Sequence, residues 1–183
     1  MDLTVGHSAA LLLGASTIGA VDVFYFHLYK LKLYRQPSSV VEELTHLAGY
    51  GSFLALAAAI AAPGDPAARR DLVAVLVGLY LVVTVLDVLT ERSSRAPLGG
   101  LPTGEYLLHI LIVFGFGAGA ATFWWATANG PTGPLTGLDQ TRVLGAIAFT
   151  TVLLLIEGTL FLRAVLSRRR PAGQLAPPLR HAA

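Results

Sequence analysis

The sequence predicts an all-α fold: a polytopic integral membrane helix bundle of about five transmembrane helices, N-terminus outside and C-terminus cytoplasmic. Three observations carry that prediction. Of 183 residues, 54% are hydrophobic and only 13% charged, and the mean hydropathy is +0.64, so long stretches have no polar face to offer water. Five stretches reach the length of about 20 apolar residues that crosses a hydrocarbon core. Lys and Arg also gather in alternate breaks between those stretches, as membrane orientation requires.

The first apolar segment covers residues 7–29. The opening MDLTVGHSAALLLGAS lacks the positive n-region of a signal peptide and its apolar run continues past the usual length, so this span is expected to be retained. The second covers 39–62, the third 71–90, the fourth 104–128 and the fifth 141–166. Between them stand PGDPAARR, ERSSRAPLGGLPTG and NGPTGPLTGLDQ, whose Gly and Pro content is turn chemistry. Lys30, Lys32, Arg35, Arg92, Arg95, Arg163, Arg168, Arg169, Arg170 and Arg180 share one side if the helices alternate, against Arg69, Arg70 and Arg142 on the other. The first side is therefore cytoplasmic, and a multi-pass protein of the cell membrane, the bacterial inner membrane, is expected. Residues 1–170 form a single domain in this reading. Residues 171–183, rich in Pro and Ala, form a disordered cytoplasmic tail.

Composition also excludes. With no cysteine, disulfides, iron–sulfur clusters and thiol catalysis are removed together, and any metal must be held by oxygen and imidazole. Without a basic stripe carrying interleaved aromatics, nucleic acid is not a partner. The expected partners are the lipid bilayer and either further copies of the chain or a larger membrane complex. In the fourth segment Gly115 and Gly119 have the Gly-x-x-x-Gly spacing that lets two helix backbones approach, and Trp124 and Trp125 fit an aromatic belt.

The chemistry lies in an ionisable layer. Asp22, Glu42, Glu43, Asp87, Glu91, Glu105 and Glu157 fall in the cytoplasmic halves of the spans, and so do His27, His46 and His109. An isolated charge at depth costs at least about 2.5 to 3.5 kcal/mol, so something must neutralise them. Spacing sorts the residues by face. Glu43 and His46 are three apart with Tyr50 next on the stripe; Tyr80, Thr84, Asp87 and Glu91 form a second stripe; Glu105 and His109 are four apart. Asp22 and His27 are five apart, about 140° around an α-helix, so Asp22 is expected inward and His27 as an interfacial ligand. Ser39-x-x-Glu42 matches a capping box, which assigns Glu42 to the helix start.

Glu43-Leu44-Thr45-His46 resembles one half of the Glu-x-x-His motif with which ferritin-like bundles hold two iron or manganese ions; Glu105 to His109 departs from it by one residue. The expected centre is thus a two-ion site for divalent iron, manganese or zinc, with ligands drawn from Asp22, His27, Glu43, His46, Asp87, Glu91, Glu105, His109 and Glu157. Two divalent ions would offset four negative charges where the first four spans hold no Lys or Arg and the fifth carries only Arg142 and Arg163 near its ends. Such a centre would oxidise or hydrolyse a lipid-soluble substrate near the cytoplasmic face. Two alternatives use the same residues. A metal-ion or proton carrier would need polar groups in the outer half, where AALLLGAST, LALAAAIAA and LVAVLVGL are apolar. A non-catalytic subunit would tie the acids to Lys30, Lys32, Arg35, Arg92 and Arg95, whose long side chains can reach inward from the membrane edge.

Overall fold

A computed structural model describes residues 3–130 and 135–168 of the chain. Among them, five helices are long and apolar enough to cross a membrane, and there is no strand. They are α1 (Val5–Asp22), which runs on as a π-helical segment (Val23–Lys30), α2 (Val40–Ala61), α3 (Arg70–Arg95), α4 (Thr103–Asn129) and α5 (Gly137–Arg168). The shortest candidate span, with its leading turn, has 25 residues, or about 38 Å at a rise of about 1.5 Å per residue. The expected tail and the end of the domain at residue 170 lie outside the described residues.

Two boundaries differ from expectation with physical consequences. The third helix runs five residues further than its apolar stretch, to Arg95, because its polar end is buried rather than solvated. The first helix changes its winding after Asp22: Leu31 donates its amide hydrogen to the Phe26 carbonyl, five residues back, at 2.8 Å. A π-helical turn holds more residues than an α-turn, and the segment delivers His27 to the bundle.

Around the bundle, α4 packs on α1, α1 on α5, α5 on α2 and α2 on α3, while α3 and α4 scarcely touch. The ring is therefore open along one side. Helices this apolar would find no hydrophobic drive to associate within lipid, so close fit carries the packing. A Cβ at Gly115 would stand 3.1 Å from the Ala15 Cβ, and one at Gly119 would stand 3.1 Å from a Leu12 methyl. The Gly-x-x-x-Gly face of α4 thus seats α1, and the Ser8 hydroxyl donates to the Gly119 carbonyl at 2.7 Å. Gly117 lies on the other face, where nothing is within 4 Å.

The half of the bundle around the start of α1 is filled by Leu12, Leu56, Ile60, Phe116, Phe123 and Ala146. Trp124 and Trp125 are exposed at that end of α4. The ionisable groups occupy the other half.

Candidate metal centre

All five helices bring acids or histidines to one layer. On α1, both Asp22 and His27 are buried, and His27 Nε2 is 3.5 Å from Asp22 Oδ2. Both therefore reach the layer, although five residues set them apart on an α-helix. Five residues span about 140° in an α-helix, but the π-helical winding after Asp22 brings the fifth residue round toward the same side.

His27 is the hub. Its Nδ1 lies 2.9 Å from Glu157 Oε1, and its Nε2 faces Asp22 and also Glu105 Oε1 at 3.4 Å. The Tyr50 hydroxyl donates to the other Glu157 oxygen at 2.8 Å. The His46 ring stacks on His27 with centroids 4.8 Å apart; its Nε2 is 3.2 Å from Asp87 and its Nδ1 3.8 Å from Glu157. Thr45 supports Asp87 with a hydroxyl donated at 2.6 Å. His109 stands edge-on to both rings, with Nε2 2.9 Å from Asp22 and Nδ1 3.0 Å from Glu91.

Three sets of side chains each bring one donor atom per residue to within 4.8 Å of the others: Asp22, His27, Glu105 and His109; His27, His46 and Glu157; and Glu42, Glu91 and Glu105. The first two share His27. Three atoms of the first two sets, Asp22 Oδ1, His27 Nε2 and His46 Nδ1, are buried without a hydrogen-bond partner. A buried polar atom left unpaired is costly. A divalent cation coordinated by these lone pairs would remove that cost, and a donor set of carboxylate and imidazole suits iron, manganese or zinc.

The structure assigns Glu42 differently from the capping box. It is buried, its Oε2 accepts from Arg95 Nη1 at 2.6 Å, and its Oε1 lies 3.8 Å from His46. Ser39 makes no side-chain cap; its hydroxyl is within hydrogen-bond distance of the Leu33 and Gln36 carbonyls. On an α-helix, residues four apart are offset by about 40° and residues three apart by about 60°, so Glu42 shares the face of His46 more closely than Glu43 does. Glu43 is buried but makes no hydrogen bond or ion pair among the described residues, and it belongs to none of the three sets.

Arg95, named in the ion-pair alternative with Lys30, Lys32, Arg35 and Arg92, has a fully buried guanidinium, bonded to Glu42 and, by a short contact, to Glu105. The extra turn of α3 carries it inward. Lys30, Lys32, Arg35 and Arg92 remain exposed. Arg95 balances one of the layer's seven carboxylates, and three histidines stand among the rest, so further positive charge must come from those histidines or a bound ion. The signals were present in the sequence: Glu42 and His46 have the same spacing as Glu105 and His109, and Arg95 is the basic residue nearest Glu105.

Between α3 and α4 a cavity of about 850 Å³ reaches the layer. Asp22, His46, Asp87, Glu91 and His109 line it together with the apolar Phe53, Val83, Ile110 and Val113. The Tyr80, Thr84, Asp87 and Glu91 stripe faces it as the spacing predicts, and Tyr80 stacks on Phe116 with centroids 3.7 Å apart.

No family model, no curated protein and no solved structure matches this chain.

Proposed function

We propose that the chain is a membrane-embedded metal-binding protein: a two-ion carboxylate and histidine enzyme that oxidises or hydrolyses a lipid-soluble substrate near the cytoplasmic face. The observation that carries the metal reading is His27, whose two ring nitrogens face separate acid sets, Asp22 with Glu105 on one side and Glu157 on the other. In this reading Asp22, His27, Glu105 and His109 would hold the first ion, and His27, His46 and Glu157 the second, with His27 as imidazolate, having given up both ring protons. Glu91 and Asp87 hold the outer nitrogens of His109 and His46, the orienting role that carboxylates play behind metal-bound imidazoles. Glu43 adds negative charge without ligating.

A divalent ion in such a place polarises a substrate oxygen or activates water, and iron adds redox chemistry. The chain's own groups supply the rest. Tyr50, bonded to Glu157, holds a proton beside the second set, and Asp87, with its Thr45 bond, is the least buried carboxylate at the cavity floor.

The orientation in this proposal follows the basic residues, with the layer on the cytoplasmic side and the N-terminus outside. The apolar outer face of α3, with Val75, Val82, Val85 and Leu89 exposed, meets lipid or a neighbouring subunit. A carrier is the weaker reading, because the other half of the bundle is packed with apolar side chains.

One observation favours a second reading: the buried Arg95 joins α2, α3 and α4 through Glu42 and Glu105, as a non-catalytic bundle held in register by ion pairs would. Titration of chelator-stripped protein in nanodiscs with Fe²⁺, Mn²⁺ and Zn²⁺ separates the two. Saturable binding of two ions per chain, followed by metal-dependent oxygen uptake or ester hydrolysis with long-chain substrates, supports the enzyme. Folded protein that takes up no ion leaves the ion-pair network.

A further inference from the structure

The cavity between α3 and α4 has the shape and charge of a binding site for an amphiphile. On α3 its lining runs from Tyr80 to Arg92, twelve residues or about 18 Å along the helix, from the packed middle of the bundle to its edge. Its volume of about 850 Å³ falls within the range of small-molecule sites. The wall toward the middle is apolar. The opposite end carries Asp22, Asp87 and Glu91, and behind them lie the other carboxylates of the layer. At the mouth stands Arg92, exposed and without an acid partner among the described residues.

Asp87 and Glu91, which lie outside the two proposed ion sets, would repel a carboxylate head and can accept a hydrogen bond from a hydroxyl, and Arg92 beside them disfavours a cationic head. Because α3 and α4 scarcely touch, a molecule already dissolved in the bilayer reaches the cavity sideways without crossing water. We propose that the cavity binds a single-chain amphiphile with an uncharged polar head, of the long-chain alcohol class, with its tail against Phe53 and Val113 and its hydroxyl at Asp87, Glu91 and His109. As the substrate class of the centre, this rests on the metal reading; as a binding site it stands without it.

The test is retention of labelled hexadecanol by the full chain in nanodiscs, with hexadecanoate as the charged competitor. Both metal-loaded and chelator-stripped protein are measured. The structure predicts about one hexadecanol per chain and at least tenfold weaker binding of hexadecanoate. Ile110→Trp and Val83→Trp, which fill the cavity from opposite walls, should each weaken hexadecanol binding at least tenfold while metal content and thermal unfolding stay as in wild type. Hexadecanoate bound as tightly as hexadecanol, or hexadecanol bound undiminished in both variants, overturns the proposal. Protein that binds hexadecanol but never metal keeps the site and removes the enzyme reading; metal-loaded protein that takes no hexadecanol removes the site and leaves the metal centre.

Discussion

The imidazoles of His27 and His46 lie stacked, their centroids 4.8 Å apart and their planes 12° from parallel, and both face Glu157. One donor atom from each of these three side chains lies within 4.8 Å of the others, and His46 Nδ1 lacks a hydrogen-bond partner, so the set could hold a cation. Glu157→Gln keeps the shape and removes the charge. It should release one of two ions and leave the other, which elemental analysis of the purified variant reads directly. Loss of neither ion would show that Glu157 serves only to hold His27.

Arg95 sets a stability prediction. Truncating one partner of a buried ion pair leaves uncompensated charge and costs about 3–5 kcal/mol. Arg95→Met should therefore lower unfolding stability in detergent by about that amount, and adding Glu42→Gln should restore part of it, since the two contacts are one network. Equal stability of the single and double variants would mean that Glu42 does not depend on Arg95.

The glycines of α4 make a paired prediction. Gly115→Val pushes a branched side chain into Ala15, where even a Cβ would stand at 3.1 Å, and overpacking of this kind costs about 1–3 kcal/mol. Gly117→Ala adds a methyl to open space and should be neutral or stabilising, by up to about 1 kcal/mol from helix propensity. Thermal unfolding followed by circular dichroism distinguishes them.

Metal loading should fall with pH. Imidazole and carboxylate bind an ion only when deprotonated, so each ion that binds displaces protons; affinity therefore decreases as pH is lowered. Ion titrations at several pH values check the sign. An affinity that rises on acidification would contradict ligation by His27, His46 and His109.

Much of this was legible in the sequence because lipid imposes simple rules. Five apolar stretches of sufficient length specify the five helices, and residues such as Asp87 and Glu105 inside them have no benign reason to be there. His46, His109, Asp87, Glu91 and Glu157 came together as depth and spacing suggest. What the sequence hides is winding and reach. Asp22 and His27 are out of phase in an α-helix, and the segment Val23–Lys30 gives no compositional hint of its π-helical turns. Arg95 lies past the apolar stretch, so its inward path depends on how far α3 extends. Glu42 carried a local capping pattern that competed with a tertiary contact, and the contact prevailed because a buried guanidinium needs a carboxylate more than a helix start needs a cap.

The central claim is that these residues hold two divalent ions with His27 between them. Quantifying bound iron, manganese and zinc per chain, in protein purified without chelator, tests it most directly when wild type is set beside His27→Ala. The structure predicts about two equivalents in wild type and fewer than half an equivalent in His27→Ala, with the fold retained by circular dichroism. A folded wild type that stays free of metal after reconstitution, or a His27→Ala variant that keeps both ions, would contradict it.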